Sequence, residues 1–133
     1  MEALSISDSF VNMSKQIGTH AIADILGVDS KNLQNENFLM AQLRNSLHVA
    51  DFTILDEKSL KFPGDESGVT GFFILSESHA AFHSYPEYNY LGVDIFSCGK
   101  ANPKEAIQHL SKMLNARDFN MSLFNRGLII KKN

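Results

Sequence analysis

The stretch VTGFFILSESHAAFHSYPEYNYLGVDIFSC, residues 69 to 98, decides the fold. Val69 to Leu75, Ala80 to Tyr85 and Leu91 to Cys98 are short apolar runs, separated by turn residues that include Pro86 and Asn89. Strands joined so closely pair with their sequence neighbours, so an antiparallel meander is predicted. Side chains alternate across a strand, which puts Leu91, Val93 and Ile95 on one face and Gly92, Asp94, Phe96 and Cys98 on the other. Cys98 is expected to face away from the aliphatic row.

Downstream, Asn102, Pro103 and Glu105 have the order of an N-cap, a first-turn proline and a capping-box glutamate. They lead into Ala106, Ile107, Leu110, Met113 and Leu114 at helical spacing. Phe119 to Phe124 and Leu128 to Ile130 flank Asn125-Arg126-Gly127, a pattern that predicts a terminal hairpin. Upstream, Thr19 to Ile25 reads as a strand closed by Gly27. Leu33, Phe38, Leu39, Met40, Leu43 and Leu47 predict one amphipathic helix from Ser30 to about Val49. Phe52 to Leu55 reads as a strand, and Pro63 to Gly68 as a loop. Residues 1 to 16 show no period and are expected to form a loose extension. The fold class is α+β, an antiparallel sheet with two helices on one face, and 133 residues fit a single domain.

The net charge of -3 and the scatter of the twelve Lys and Arg residues argue against a nucleic-acid partner. With one cysteine there is no intrachain disulfide. No signal peptide or long apolar stretch is evident, so a cytoplasmic protein with no membrane partner is expected.

Residues 76 to 99 crowd a Glu77-Ser78 peptide bond, His79, His83, Glu87 and Cys98 into one window. A Glu-Ser pair alone means little, since Glu66-Ser67 repeats it. A serine hydroxyl between strands can nevertheless attack the preceding carbonyl when the backbone is strained, exchanging an amide for an ester. β-Elimination then breaks the chain, and hydrolysis of the dehydroalanine leaves a pyruvoyl ketone, an electron sink for amine substrates. Such processing needs a base, and His79 and His83 both follow Ser78 closely. They share a strand face and so could form half a metal site. No third ligand follows at zinc-type spacing, and no metal is expected. A thiol can protonate a carbanion as a general acid, although a free cysteine is more often a small buried hydrophobe.

Taken whole, the Ser-Glu-Ser-His and Phe-Ser-Cys-Gly segments at this spacing resemble the core of the prokaryotic pyruvoyl-dependent S-adenosylmethionine decarboxylases. The resemblance is strongest from Gly68 to Gly99 and continues more weakly from Gly18-Thr19-His20 through both helices. It implies self-cleavage between Glu77 and Ser78 into chains of residues 1 to 77 and 78 to 133, with Ser78 becoming the pyruvoyl cofactor. It further implies His83 as processing base with Thr70 assisting, Cys98 as proton donor, and Phe62 and Glu87 as contacts to the adenine and ribose of S-adenosylmethionine. Two protomers are expected to pack sheet to sheet as an αββα homodimer, and the implied product serves spermidine synthesis.

Several positions depart from the family pattern. Thr70 stands where a serine is common, Leu60 falls where many relatives carry a histidine, the loop from Gly64 to Ser67 is longer, and the C-terminal strands match poorly. Leu60 and the longer loop lie beside the expected substrate pocket, and the departures leave open a pyruvoyl decarboxylase of ornithine or arginine. An unprocessed regulatory homologue is the third alternative. Intact Ser78, His83 and Cys98 speak against it.

Overall fold

The computed structural model describes residues 14 to 130. In chain order the elements are β1 (Ser14–Lys15), β2 (Gly18–Leu26), α1 (Ser30–Leu33), α2 (Glu36–Val49), β3 (Ile54–Lys61), β4 (Val69–Leu75) and β5 (Ser78–Tyr85). A 3-10 turn over Pro86–Tyr88 leads to β6 (Tyr90–Ser97), α3 (Pro103–Met113), β7 (Asp118–Arg126) and β8 (Ile129–Ile130). Six strands form one antiparallel sheet in the order β3-β4-β5-β6-β2-β7, and β1 pairs with β8 in a separate two-stranded ladder.

The alternation read from residues 69 to 98 sets the two faces. Ala21, Ala23, Ile25, Val69, Phe73, Leu75, Ala80, Phe82, Leu91, Val93 and Ile95 are buried beneath the helices. From above, α2 contributes Leu39, Met40, Leu43 and Leu47, and α3 contributes Ala106, Ile107 and Leu110. Ser84 is the polar tie within this core: its hydroxyl donates to the Leu33 carbonyl at 2.7 Å and accepts from the Val69 N–H at 2.8 Å. Gly68, next to that strand end, has no room for a side chain, because a Cβ there would collide with the Ser84 carbonyl. The prediction of an α+β fold with the helices on one face is met.

Three expectations need correction. The single helix predicted from Ser30 is two, because Asp29 caps the first turn at Lys31 and Asn35 caps a new helix at Phe38, each through a side-chain oxygen 3.0 Å from the backbone N–H. Such side chains compete locally with helix continuation. The short strand predicted over Phe52 to Leu55 instead begins at Ile54 and runs to Lys61. The C-terminal hairpin does not form: β7 is a nine-residue edge strand on β2, while β8 pairs with β1. Of the expected loose extension, residues 1 to 13 lie outside the described residues, and Ser14–Lys15 is the β1 strand.

Among the described residues no element covers the face opposite the helices. Cross-strand partners define its rows, one being Asp56, Ile74, His79, Phe96, His20 and Phe124, and the next Lys58, Phe72, Ala81, Asp94, Ile22 and Ser122. Phe72, Ile74, Ile22 and Phe124 on these rows are 42, 46, 48 and 50% exposed. No helix among the described residues is long and apolar enough to cross a membrane.

Candidate active site

Strands β4 and β5 are joined by Ser76-Glu77, a two-residue turn in which Leu75 pairs with Ser78. Glu77 takes a left-handed backbone (φ 61°), rare for a residue with a side chain and costing on the order of 1 to 3 kcal/mol. The bond expected to break therefore follows a strained residue at the junction of turn and strand. The Ser78 hydroxyl donates to the Ser76 carbonyl at 3.3 Å and accepts from the Cys98 N–H at 3.3 Å. Both contacts are long, so the hydroxyl is held loosely, and the carbonyl to which it donates is that of Ser76 and not the Glu77 carbonyl that it would attack.

Cys98 falls one residue beyond β6, where alternation no longer aims its side chain. It is half-buried and lines an open cleft of about 400 Å³ with Gly18, Thr19, Ser97, Lys100 and Asn102. The buried Ser97 hydroxyl donates to the Ala101 carbonyl at 2.8 Å and pins the Cys98 to Ala101 loop.

The other predicted residues gather at the opposite strand ends. A second cleft of about 400 Å³ is lined by Phe62, Thr70, His83 and Glu87 together with Asp65, Glu66 and Tyr85. Thr70 and His83 face each other across β4 and β5, with Oγ1 and Nδ1 2.9 Å apart. His83 lies five residues from Ser78 on one extended strand, on the order of 16 Å by strand rise. Within one chain, then, Ser78 and Cys98 meet, as do Phe62, Thr70, His83 and Glu87, while the two groups stand apart.

His79 does not pair with His83. Its Nε2 lies 3.3 Å from Asp94 Oδ1, and His20 Nε2 approaches the same oxygen at 3.0 Å. Arg126 Nη1 donates to His20 Nδ1 at 3.0 Å, and its guanidinium lies 5.3 Å from the centroid of the Phe96 ring. The sequence reading missed this cluster because its members come from β2, β5, β6 and β7. The paired period-2 faces of those strands were the only signal. On the same face the Tyr90 hydroxyl donates to Asp24 Oδ1 at 2.6 Å. That hydrogen bond, with burial and the charge of Asp24 adding to it, pushes the Tyr90 phenol up to about 12.

The model of the family described as S-adenosylmethionine decarboxylase matches residues 19–127. The chain belongs to this family. Its match reaches to the end of β7, so the C-terminal strand that looked poorly related is part of the family domain. Among curated relatives, an S-adenosylmethionine decarboxylase proenzyme from Methanococcus maripaludis is 33% identical over 116 residues, spanning 86% of this chain and 93% of the relative. An arginine decarboxylase proenzyme from Caldivirga maquilingensis is 32% identical over 113 residues, 84% of each chain. The fold matches the crystal structure of the adenosylmethionine decarboxylase from Aquifex aeolicus VF5 with a TM-score of 0.79 at 24% identity, over 90% of this chain and 98% of that one. This S-adenosylmethionine decarboxylase family is one of carboxy-lyases, and the chain is such an enzyme.

Proposed function

We propose that the chain is a self-processing, pyruvoyl-dependent decarboxylase of S-adenosylmethionine that works as a homodimer. The observation that carries the reading is the junction of left-handed Glu77 with a Ser78 hydroxyl hydrogen-bonded to the backbone of Cys98. Attack by Ser78 Oγ on the Glu77 carbonyl transfers the acyl group from nitrogen to oxygen. Elimination then leaves Glu77 as a free carboxylate, and water displaces ammonia from the new N-terminus. The pyruvoyl group so formed supplies an electron sink for loss of carboxylate from an amino acid. Cys98, whose backbone N–H meets the Ser78 hydroxyl, returns a proton to the substrate carbon from the first cleft. Phe62 offers a ring face to adenine and Glu87 a carboxylate to the ribose hydroxyls.

The separation of the two groups within one chain supports a dimer. Exposed Phe72, Ile74, Ile22 and Phe124 give the uncovered face an apolar surface suited to a second copy. A two-fold axis through that face would set the Thr70, His83, Phe62 and Glu87 cleft of one chain against Ser78 and Cys98 of the other. His83 would then act on its partner's Ser78, with Thr70 fixing the ring. Product from S-adenosylmethionine would be the aminopropyl donor for spermidine synthesis, and a cytoplasmic location suits that role.

Arginine is the second reading. Asp65, Glu66 and Glu87 line the second cleft, and a guanidinium would suit them. The denatured intact mass tests processing: two fragments parting at Glu77, the C-terminal one lighter than its sequence by one ammonia, are expected. One uncut chain of full mass would overturn the reading in favour of the regulatory homologue. With cleavage established, competition between S-adenosylmethionine and arginine for turnover decides the substrate.

A further inference from the structure

The His20, His79 and Asp94 cluster is unused by the chemistry above, and it has the composition of a metal site. We propose that it binds one divalent transition-metal ion of the zinc class per chain. This rests on side-chain geometry and stands apart from the decarboxylase reading. The nearest nitrogens of the two imidazoles and one oxygen of Asp94 all lie within 4.8 Å of one another. The His20 to Asp94 and His79 to Asp94 separations are 3.0 and 3.3 Å. Ligand atoms each about 2.1 Å from a common ion stand roughly 2.9 to 3.4 Å apart in octahedral or tetrahedral geometry, so both separations are suitable. Two imidazoles and one carboxylate form a donor set that prefers zinc, cobalt, nickel or iron to magnesium or calcium.

The platform is rigid. Register pairs His79 with Phe96 and Phe96 with His20, across the central strands β5, β6 and β2. Phe72 stacks on His79 at 5.8 Å between ring centroids, and Phe96 lies 6.0 Å away, so apolar rings wall the imidazole. In the single chain all three ligands are half-buried, which leaves room for water as a remaining ligand.

Arg126 is the competitor. Its donation to His20 Nδ1 leaves the ring proton on Nε2, where it faces Asp94 instead of an ion. Metal entry moves that proton to Nδ1 and turns Arg126 away, which its exposed edge position allows. The guanidinium charge also repels the cation. The structure thus assigns Arg126 a second part, that of weakening a site whose ligands are otherwise in place.

The test is titration of the purified full chain with Co²⁺, read by its visible absorption, followed by competition with Zn²⁺. One ion per chain is expected, displaced by Zn²⁺. Affinity should fall by about tenfold or more in His20→Gln, His79→Gln and Asp94→Asn, rise in Arg126→Gln, and stay unchanged in His48→Ala, which alters an exposed histidine on α2. Circular dichroism of each variant separates lost ligands from lost fold. Absence of saturable binding would overturn the proposal, as would binding that survives in folded His20→Gln and His79→Gln. Binding by Arg126→Gln alone would overturn it for the natural chain.

Discussion

The backbone N–H of Cys98 donates to the hydroxyl of Ser78 across 3.3 Å, joining the start of β5 to the loop after β6. One residue of this pair is expected to cut the chain and the other to finish each turnover. Ser78→Ala should therefore remain a single uncut, inactive chain by mass. Cys98→Ala keeps the backbone N–H, so it should still cut while turnover falls by roughly 10² to 10⁴-fold, the usual worth of a general acid. Full activity in either variant would refute the role assigned to that residue.

Mixing chains separates a one-chain site from a two-chain site. Ser78→Ala alone and His83→Ala alone should both stay uncut. Co-expressed, the His83→Ala chain carries Ser78 and meets an intact His83 on its partner, so that chain alone should be cleaved. A mass spectrum showing no cleavage in the mixture would rule out the shared site.

Phe62 and Glu87 line the same cleft as His83 without taking part in cutting. Phe62→Ala should process normally and lose about ten- to a hundredfold in kcat/KM for S-adenosylmethionine, the range of one base stacked on an aromatic ring. An unchanged kcat/KM would remove Phe62 from the substrate site and favour the arginine reading.

Ser84 is buried and bonded at both of its hydrogen-bonding functions. Ser84→Ala leaves the Val69 N–H without that partner, and loss of such a bond costs about 1 to 3 kcal/mol. Denaturant unfolding should show that loss, with the melt moving down in parallel. A stability within error of the parent would mean that the backbone relaxes to pair elsewhere.

The Tyr90 phenol, raised from 10.0 to about 12 by its bond to Asp24, gives a pH signature. The folded state favours the neutral phenol, so its contribution to stability is complete below pH 10 and lost as pH rises towards 12. Ultraviolet titration should show one phenolate forming late, and Asp24→Asn should bring it forward. Coincident ionisation of every tyrosine in the folded chain would contradict the hydrogen bond.

Much of the fold was legible because the strands announce themselves by period. Val69 to Leu75 has the bounds that alternation predicts, and α3 starts at Pro103 behind its Asn102 cap as read. The break at Asn35 was harder to read, since an apolar stripe continues through it and only the capping competition of one amide side chain interrupts the helix. The terminal hairpin failed for another reason. Turn residues at Asn125 to Gly127 are compatible with a hairpin, but β7 has nine residues of pairing on β2.

By itself the sequence determined the meander, the capped helix, the family and the residues worth testing, because each is written in local period, turn chemistry or a short motif. Only the tertiary structure decided which of those residues meet. Five residues along one strand are close in sequence yet on the order of 16 Å apart in space, which separates Ser78 from His83 within a chain. Conversely, His20 and His79 are 59 positions apart and converge on Asp94 because β2 and β5 both flank β6. Strand order and register are set by burying one apolar face under the helices, and that burial assembles the cluster on the opposite face.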